Sequence, residues 1–201
     1  MKKLSAFFYL LFVCYSASFA QKIPDGGIHK LHIDRSGSTV DAETIPVKLP
    51  AHPDPKLWYS WTAGGEIRST QGGFSGQLLN GDYHSFYENG MPQESGAYIA
   101  GLKSGIWRNW NSNGTLFQIL TYRSGLRSGG YAVYDANGKL RQTGAYDSDL
   151  LEGAVRDYPA TDSTTVSWYH RGKIVPHRPL LKRLNIFKRK HRDTVNVVPK
   201  A

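Results

Sequence analysis

A 24-residue period runs through residues 82–153 and limits the chain to a stacked-repeat architecture. The three units are Asp82–Gly105, Ile106–Gly129 and Gly130–Gly153. Superposed, they bring Tyr83, Trp107 and Tyr131 into one column and Phe86, Trp110 and Tyr134 into a second, three residues on. Gly90, Gly114 and Gly138 form a third column, and Tyr98, Tyr122 and Tyr146 a fourth. A worn unit precedes them, with Trp58, Trp61, Gly65 and Phe74 in the same columns. A partial unit follows, in which Tyr158 holds the second column and Tyr169-His170-Arg171-Gly172-Lys173 echoes Tyr122-Arg123-Ser124-Gly125-Leu126. Outer units of a stacked array face solvent and are usually atypical.

Each unit reads as a β-hairpin. Asn89-Gly90, Asn113-Gly114 and Asn137-Gly138 lie between β-prone, aromatic-rich runs. Asn-Gly is the strongest short hairpin signal, because both residues tolerate positive φ. In the second unit the strands fall at about 106–111 and 115–122, with Asn113-Gly114 at the tip. Segments 101–105 and 125–129, each Gly-Leu-Lys/Arg-Ser-Gly, turn the chain into the next hairpin. No glycine-free window in 58–175 offers apolar residues at i, i+3, i+4 and i+7, which argues against helix there. The fold class expected is therefore all-β: an elongated, single-layer antiparallel sheet of stacked hairpins, roughly 40–50 Å along the stacking direction. One detail resists a flat strand. Side chains alternate with period two, so columns three residues apart face opposite sides unless a bulge intervenes.

The pattern Tyr98-x-x-Gly101-x-x-x-Gly105-x-Trp107-x-x-Trp110-x-x-x-Gly114 resembles MORN repeats, most closely the variant form of exported bacterial proteins. The resemblance covers about residues 58–175. It implies single-layer stacked hairpins and a binding or scaffolding role. Its motif is made of glycines and aromatics and brings no catalytic residue.

Outside the repeats the composition changes. Residues 1–20 read as a signal peptide: Lys2 and Lys3, an apolar run from Ala6 to Tyr15, then Ser18 and Ala20 at the −3 and −1 positions before Gln21. The apolar run is shorter than the ~20 residues a spanning helix needs. Cys14, the only cysteine, falls in that segment, so the mature chain is expected to have no disulfide and no Cys-ligated metal. An exported chain without disulfides suits a Gram-negative envelope, whether periplasm, outer-membrane periphery or the outside. Residues 21–57 are an irregular lead-in holding five of the ten prolines. It has room for a small hairpin around Ser36-Gly37, and Leu49–Pro55 reads as an extended linker. Residues 58–175 are the repeat domain, and 176–201 a basic tail. The tail has eight Lys or Arg and one acid, a net +7, whereas 21–175 is neutral with 15 of each sign.

The sequence offers several candidate chemistries. The tail interleaves Lys182, Arg183, Lys188, Arg189, Lys190 and Arg192 with Leu180, Leu181, Leu184, Ile186 and Phe187. That pattern suits a peripheral anchor on anionic lipid or lipopolysaccharide, or a solvated end. Nucleic acid is not expected as a partner, because export removes the chain from it. Among seven histidines only His29 and His32 approach ligand spacing, and they lack a Cys or Glu partner, so no metal and no cofactor is expected. Gly-x-Ser-x-Gly, His-Glu-x-x-His and the P-loop are absent. Asp82 with Glu88, or Asp147, Asp149 and Glu152, are the available paired carboxylates for a glycosidase, and all sit at strand ends and turns. The aromatic columns Trp58, Trp61, Tyr83, Phe86, Trp107, Trp110, Tyr131 and Tyr134 form either a binding face for a peptide or sugar or the core of the sheet. The reading is a non-enzymatic exported scaffold that binds a protein or envelope component. A tail-anchored peripheral protein and a carbohydrate-binding or carbohydrate-active protein are the alternatives.

Overall fold

The computed structural model describes residues 27–44, 52–160 and 163–176. Every regular element among them is a strand. They are β1 (His29–Arg35), β2 (Ser38–Thr44), β3 (Trp58–Ala63), β4 (Glu66–Gln71), β5 (Gln77–Tyr87), β6 (Pro92–Ile99) and β7 (Leu102–Trp110). Then come β8 (Leu116–Arg123), β9 (Leu126–Tyr134), β10 (Leu140–Asp147), β11 (Leu150–Leu151), β12 (Gly153–Asp157), β13 (Thr165–His170) and β14 (Lys173–Ile174). They form one antiparallel sheet in the order β1-β2-β5-β6-β7-β8-β9-β10-β12-β13-β14. The expected all-β, single-layer sheet of stacked hairpins is the observed fold. Residues 1–20, read above as a signal peptide, together with Cys14 and the tail lysines and arginines from Lys182 onward, lie outside the described residues.

The hairpins are as the period requires, but the two turn types are distributed differently from the expectation. At the Asn-Gly tips only the glycine has positive φ: Gly90 at 76°, Gly114 at 81° and Gly138 at 77°. Each tip is a three-residue loop closed by a type I turn, with Gly114 N–H donating to Asn111 O at 2.9 Å and Asn111 N–H to Thr115 O at 2.9 Å. The asparagine acts through its side chain instead. Asn113 Oδ1 accepts from Thr115 N–H at 2.9 Å, and Asn89 Oδ1 from Met91 N–H at 3.1 Å. The two-residue turns with both residues at positive φ lie along the other margin: Gly64-Gly65, Ala100-Gly101, Ser124-Gly125, Ser148-Asp149 and Arg171-Gly172. The echo read between Ser124-Gly125 and Arg171-Gly172 is thus a shared turn conformation.

This second margin is tied together at the repeat period. Gly101, Gly125, Asp149 and Gly172 donate their N–H groups to the carbonyls of Leu79, Lys103, Arg127 and Leu151, at 2.7–2.9 Å. Each acceptor begins the preceding hairpin, so neighbouring turns are locked in sequence. On the tip margin the bonds come from side chains: Tyr87 OH to Trp110 O and Asn89 Nδ2 to Ser112 O, both 2.7 Å.

Bulges recur with the same period. Gln93, Phe117 and Arg141 are unpaired extra residues on β6, β8 and β10, each just beyond a second-column aromatic. A wider irregularity falls at the unit-closing glycines, where Gly81, Gly105, Gly129 and Gly153 have φ of 70–126°. The bulge near Trp110 is on the partner strand β8, so Trp107 and Trp110 still alternate to opposite faces of β7.

The first-column face is packed. Tyr83 lies opposite Gly96, Trp107 opposite Leu120, and Tyr131 between Leu120 and Gly144. The rings of Tyr83, Tyr98, Trp107 and Tyr122 follow one another at centroid distances of 5.0–6.2 Å, and Tyr131 meets Tyr146 at 4.9 Å. Edge-on contacts of this kind add about 0.5–1.5 kcal/mol each beyond burial. Glycine is needed beneath the rings. A Cβ on Gly96 would stand 2.3 Å from Trp107 Cδ2, and one on Gly144 2.7 Å from Tyr131 Cε1. Val40, Ala42 and Leu79 complete the Trp107 cluster, and Trp107 is fully buried.

The N-terminal portion departs from the simple array. The hairpin around Ser36-Gly37 exists, but it spans β1 and β2, and β2 pairs with β5 from Ser38↔Tyr87 to Thr44↔Leu79. Most of the described lead-in therefore belongs to the sheet. The place beside β5 that a sequential stack would give to β4 is taken by β2. The worn first unit, β3–β4, is attached instead through Trp61↔Leu78 and Thr62↔Gln77 on the first residues of β5. Ser60 N–H donates to Gly101 O at 2.8 Å, and Ile67 packs on the Trp107 cluster. This hairpin covers the packed face at that end. Residues 54–57 fold against it, with Asp54 N–H bonded to Tyr59 OH at 3.0 Å.

Candidate binding faces

Strand alternation sorts the eight aromatic candidates. Tyr83, Trp107 and Tyr131 lie on the packed face, with Trp107 and Tyr131 buried and Tyr83 half-buried. Phe86, Trp110 and Tyr134 lie on the other, open face, and each is half-buried. Tyr158 joins them, its hydroxyl 3.5 Å from Thr143 Oγ1. In the worn unit Trp61 is buried and donates its indole N–H to Thr70 Oγ1 at 2.8 Å, whereas Trp58 is 59% exposed. The eight residues thus form two sets, one of which is largely core.

The packed face carries its cations on its rings. Lys103 Nζ sits 3.8 Å from the Trp107 centroid and 2.5 Å from Glu94 Oε1. Arg127 lies 4.3 Å over Tyr146 and donates to Asp149 Oδ1 at 2.7 Å. The two occupy equivalent positions, 24 residues apart. Each cation is shared between an acid and a π-face, so little of its charge is left for a partner. Burial pushes the Tyr131 hydroxyl up to about 12 and Tyr98 higher still.

The open face is differently equipped. Ile99 and Ile106 are 62% and 50% exposed, beside exposed Arg108 and Arg123. Towards β1 it becomes acidic. A shallow groove there, about 390 Å³, is lined by Lys30, His32, Asp41, Glu43, Asp82 and His84 among others. His32 Nδ1 is 2.6 Å from Asp41 Oδ1 and its Nε2 is 3.5 Å from Asp34. The Asp41 hydrogen bond, with both carboxylates nearby, raises the His32 pKa above 6.5. His29 and His32, three apart on one strand, face opposite sides. Among the described residues no group of three His, Cys, Asp or Glu is placed to hold a metal.

Of the candidate carboxylates, Asp149 and Glu152 have structural partners. Asp149 holds Arg127 and its turn. Glu152 accepts from Arg171 N–H at 2.8 Å and faces His170 Nδ1 at 2.9 Å, and these bonds lower its pKa. Sequence reasoning missed the Lys103 and Arg127 contacts. Their shared 24-residue column was the signal that would have found them.

No protein-family model matches the chain, and a search of curated proteins finds no match. The likeness to MORN repeats therefore rests on the chain's own residues.

Proposed function

We propose that this is an exported, non-enzymatic scaffold of MORN-like repeats whose open sheet face binds a protein or cell-envelope component. The observation that carries the reading is the division of labour between faces. The first-column rings and the β3–β4 hairpin occupy one side of the sheet. The second-column rings repeat across the other side once every two strands, beside exposed Ile99 and Ile106. Large rigid rings offer contact area at low entropic cost, and a periodic row of them favours an extended partner. Export rests on the leader at residues 1–20.

The test is retention of envelope components on the immobilised protein. Trp110→Ala and Tyr134→Ala, both on the open face, should each reduce retention of a reproducible partner, while Tyr146→Phe on the packed face should not. Equal retention by all variants would overturn the reading. If a soluble oligosaccharide elutes the partner, the same rings serve sugar stacking instead.

The tail favours a second reading, in which the scaffold is held at a membrane surface. Its net +7 over 26 residues is the motive. Removing residues 176–201 should then abolish salt-sensitive binding to vesicles containing anionic lipid. Binding that survives the deletion would dispose of it.

A further inference from the structure

The sheet ends on β1, a seven-residue strand with an unbroken register to β2. Among the described residues no strand pairs with its outer margin. Natural edge strands are usually short, bulged or charged to prevent pairing. At the far end β14 has two residues. β1 follows another pattern. Its open-face side chains are Lys30, His32 and Asp34, all exposed, and between them Leu31 and Ile33 point to the packed face, half-buried. Among the described residues Lys30 forms no ion pair, and Asp34 is held by Thr39 Oγ1 at 3.1 Å and His32 at 3.5 Å.

The geometry points to a second copy of this chain as the occupant of that edge. In an antiparallel pair, directly opposite residues share a face. If β1 meets β1 of another copy about a two-fold axis at His32, each Lys30 stands opposite an Asp34, and each Leu31 opposite an Ile33. Both pairs then occur twice, as a self-complementary interface demands. Registers centred on Leu31 or Ile33 lose the lysine pair, placing Lys30 opposite His32 or Ser36. A lysine alone would blunt the edge; an acid four residues on supplies its counter-charge in the copy. The union makes one sheet of twice the strand number, with the open faces of both copies on the same side. A single edge strand buries less than the ~1,200 Å² of a standard interface, so the association is weak and concentration-dependent.

Sedimentation of the protein recovered from cells expressing the whole 201-residue chain tests this. The protein should pass from monomer towards dimer between about 10 µM and 1 mM. Lys30→Asp alone and Asp34→Lys alone should each stay monomeric across that range, with near-UV circular dichroism unchanged. Mixing the two single variants should restore a dimer, because each then offers the charge the other lacks. The double variant K30D/D34K should also pair with itself. A wild-type chain that stays monomeric, single variants that still dimerise, or a mixture that does not re-pair would each overturn the proposal.

Discussion

Trp107 is the residue on which most of the packing converges. It is fully buried on a sheet one layer thick, which is possible only because Gly96 leaves room beneath the ring and β4 closes over its cluster. Among the described residues its indole N–H has no hydrogen-bond partner, an arrangement that costs about 1–3 kcal/mol. Trp107→Ala should therefore cost about 3–5 kcal/mol in urea unfolding. Trp107→Phe, which removes the orphan donor along with some volume, should cost clearly less; a loss as large as alanine's would overturn this expectation. His32 makes a second test at this scale. Its raised pKa means that the Asp41 contact stabilises the protonated form, fully so below the unfolded value, and that this contribution fades as pH rises through the folded value. Because the ring is solvent-facing, the readout is spectroscopic. An NMR titration should place its midpoint above 6.5, and Asp41→Asn should lower it. At this scale the sequence displayed which residues repeat, but not which ones bury. Trp107 and Trp110 are alike in type and period and differ in the glycine that one of them covers.

The hairpin carries the next set of consequences. Asn-Gly marked every tip correctly, because a turn with glycine in its left-handed position follows from local chemistry. The turns with both residues left-handed were harder to read, since three of them place Ala100, Ser124 and Arg171 at φ of 48–49°, where L-residues are strained. Each is held there by the backbone bond that its neighbour makes to the hairpin before it. Ser124→Asn, at an exposed site, should therefore raise the urea midpoint, by a gain in unfolding free energy of up to about 1 kcal/mol, because asparagine tolerates that region better. An unchanged or lower midpoint would mean that the serine conformation carries no strain. The β2–β5 pairing was not legible at all. It joins segments about 40 residues apart, as in the Asp82 N–H to Glu43 Oε2 bond, and no local pattern announces it.

Across the whole molecule the sheet behaves as a row of equivalent parts. Among the described residues, β6 to β9 each pair only with their neighbours in sequence, so stability is close to a sum of unit and interface terms. A change in length should then matter by phase and not by amount. Excision of Gly130–Gly153, one full period, should leave an all-β protein of lower stability by circular dichroism. Excision of Gly130–Arg141, half that length, reverses the direction of every later strand and should leave those strands unfolded. If both excisions behaved alike, the period would have no structural meaning.

The strand order also sets how the molecule bears load. β1 and β14 lie at opposite margins, so tension applied between them acts along the hydrogen bonds of the successive ladders on the path that joins them, not across them. Bonds loaded in this way give way a few at a time. Stretched between two anchor points, the sheet would therefore lengthen strand by strand at low force and re-zip when slack, acting as a compliant tether and not as a strut.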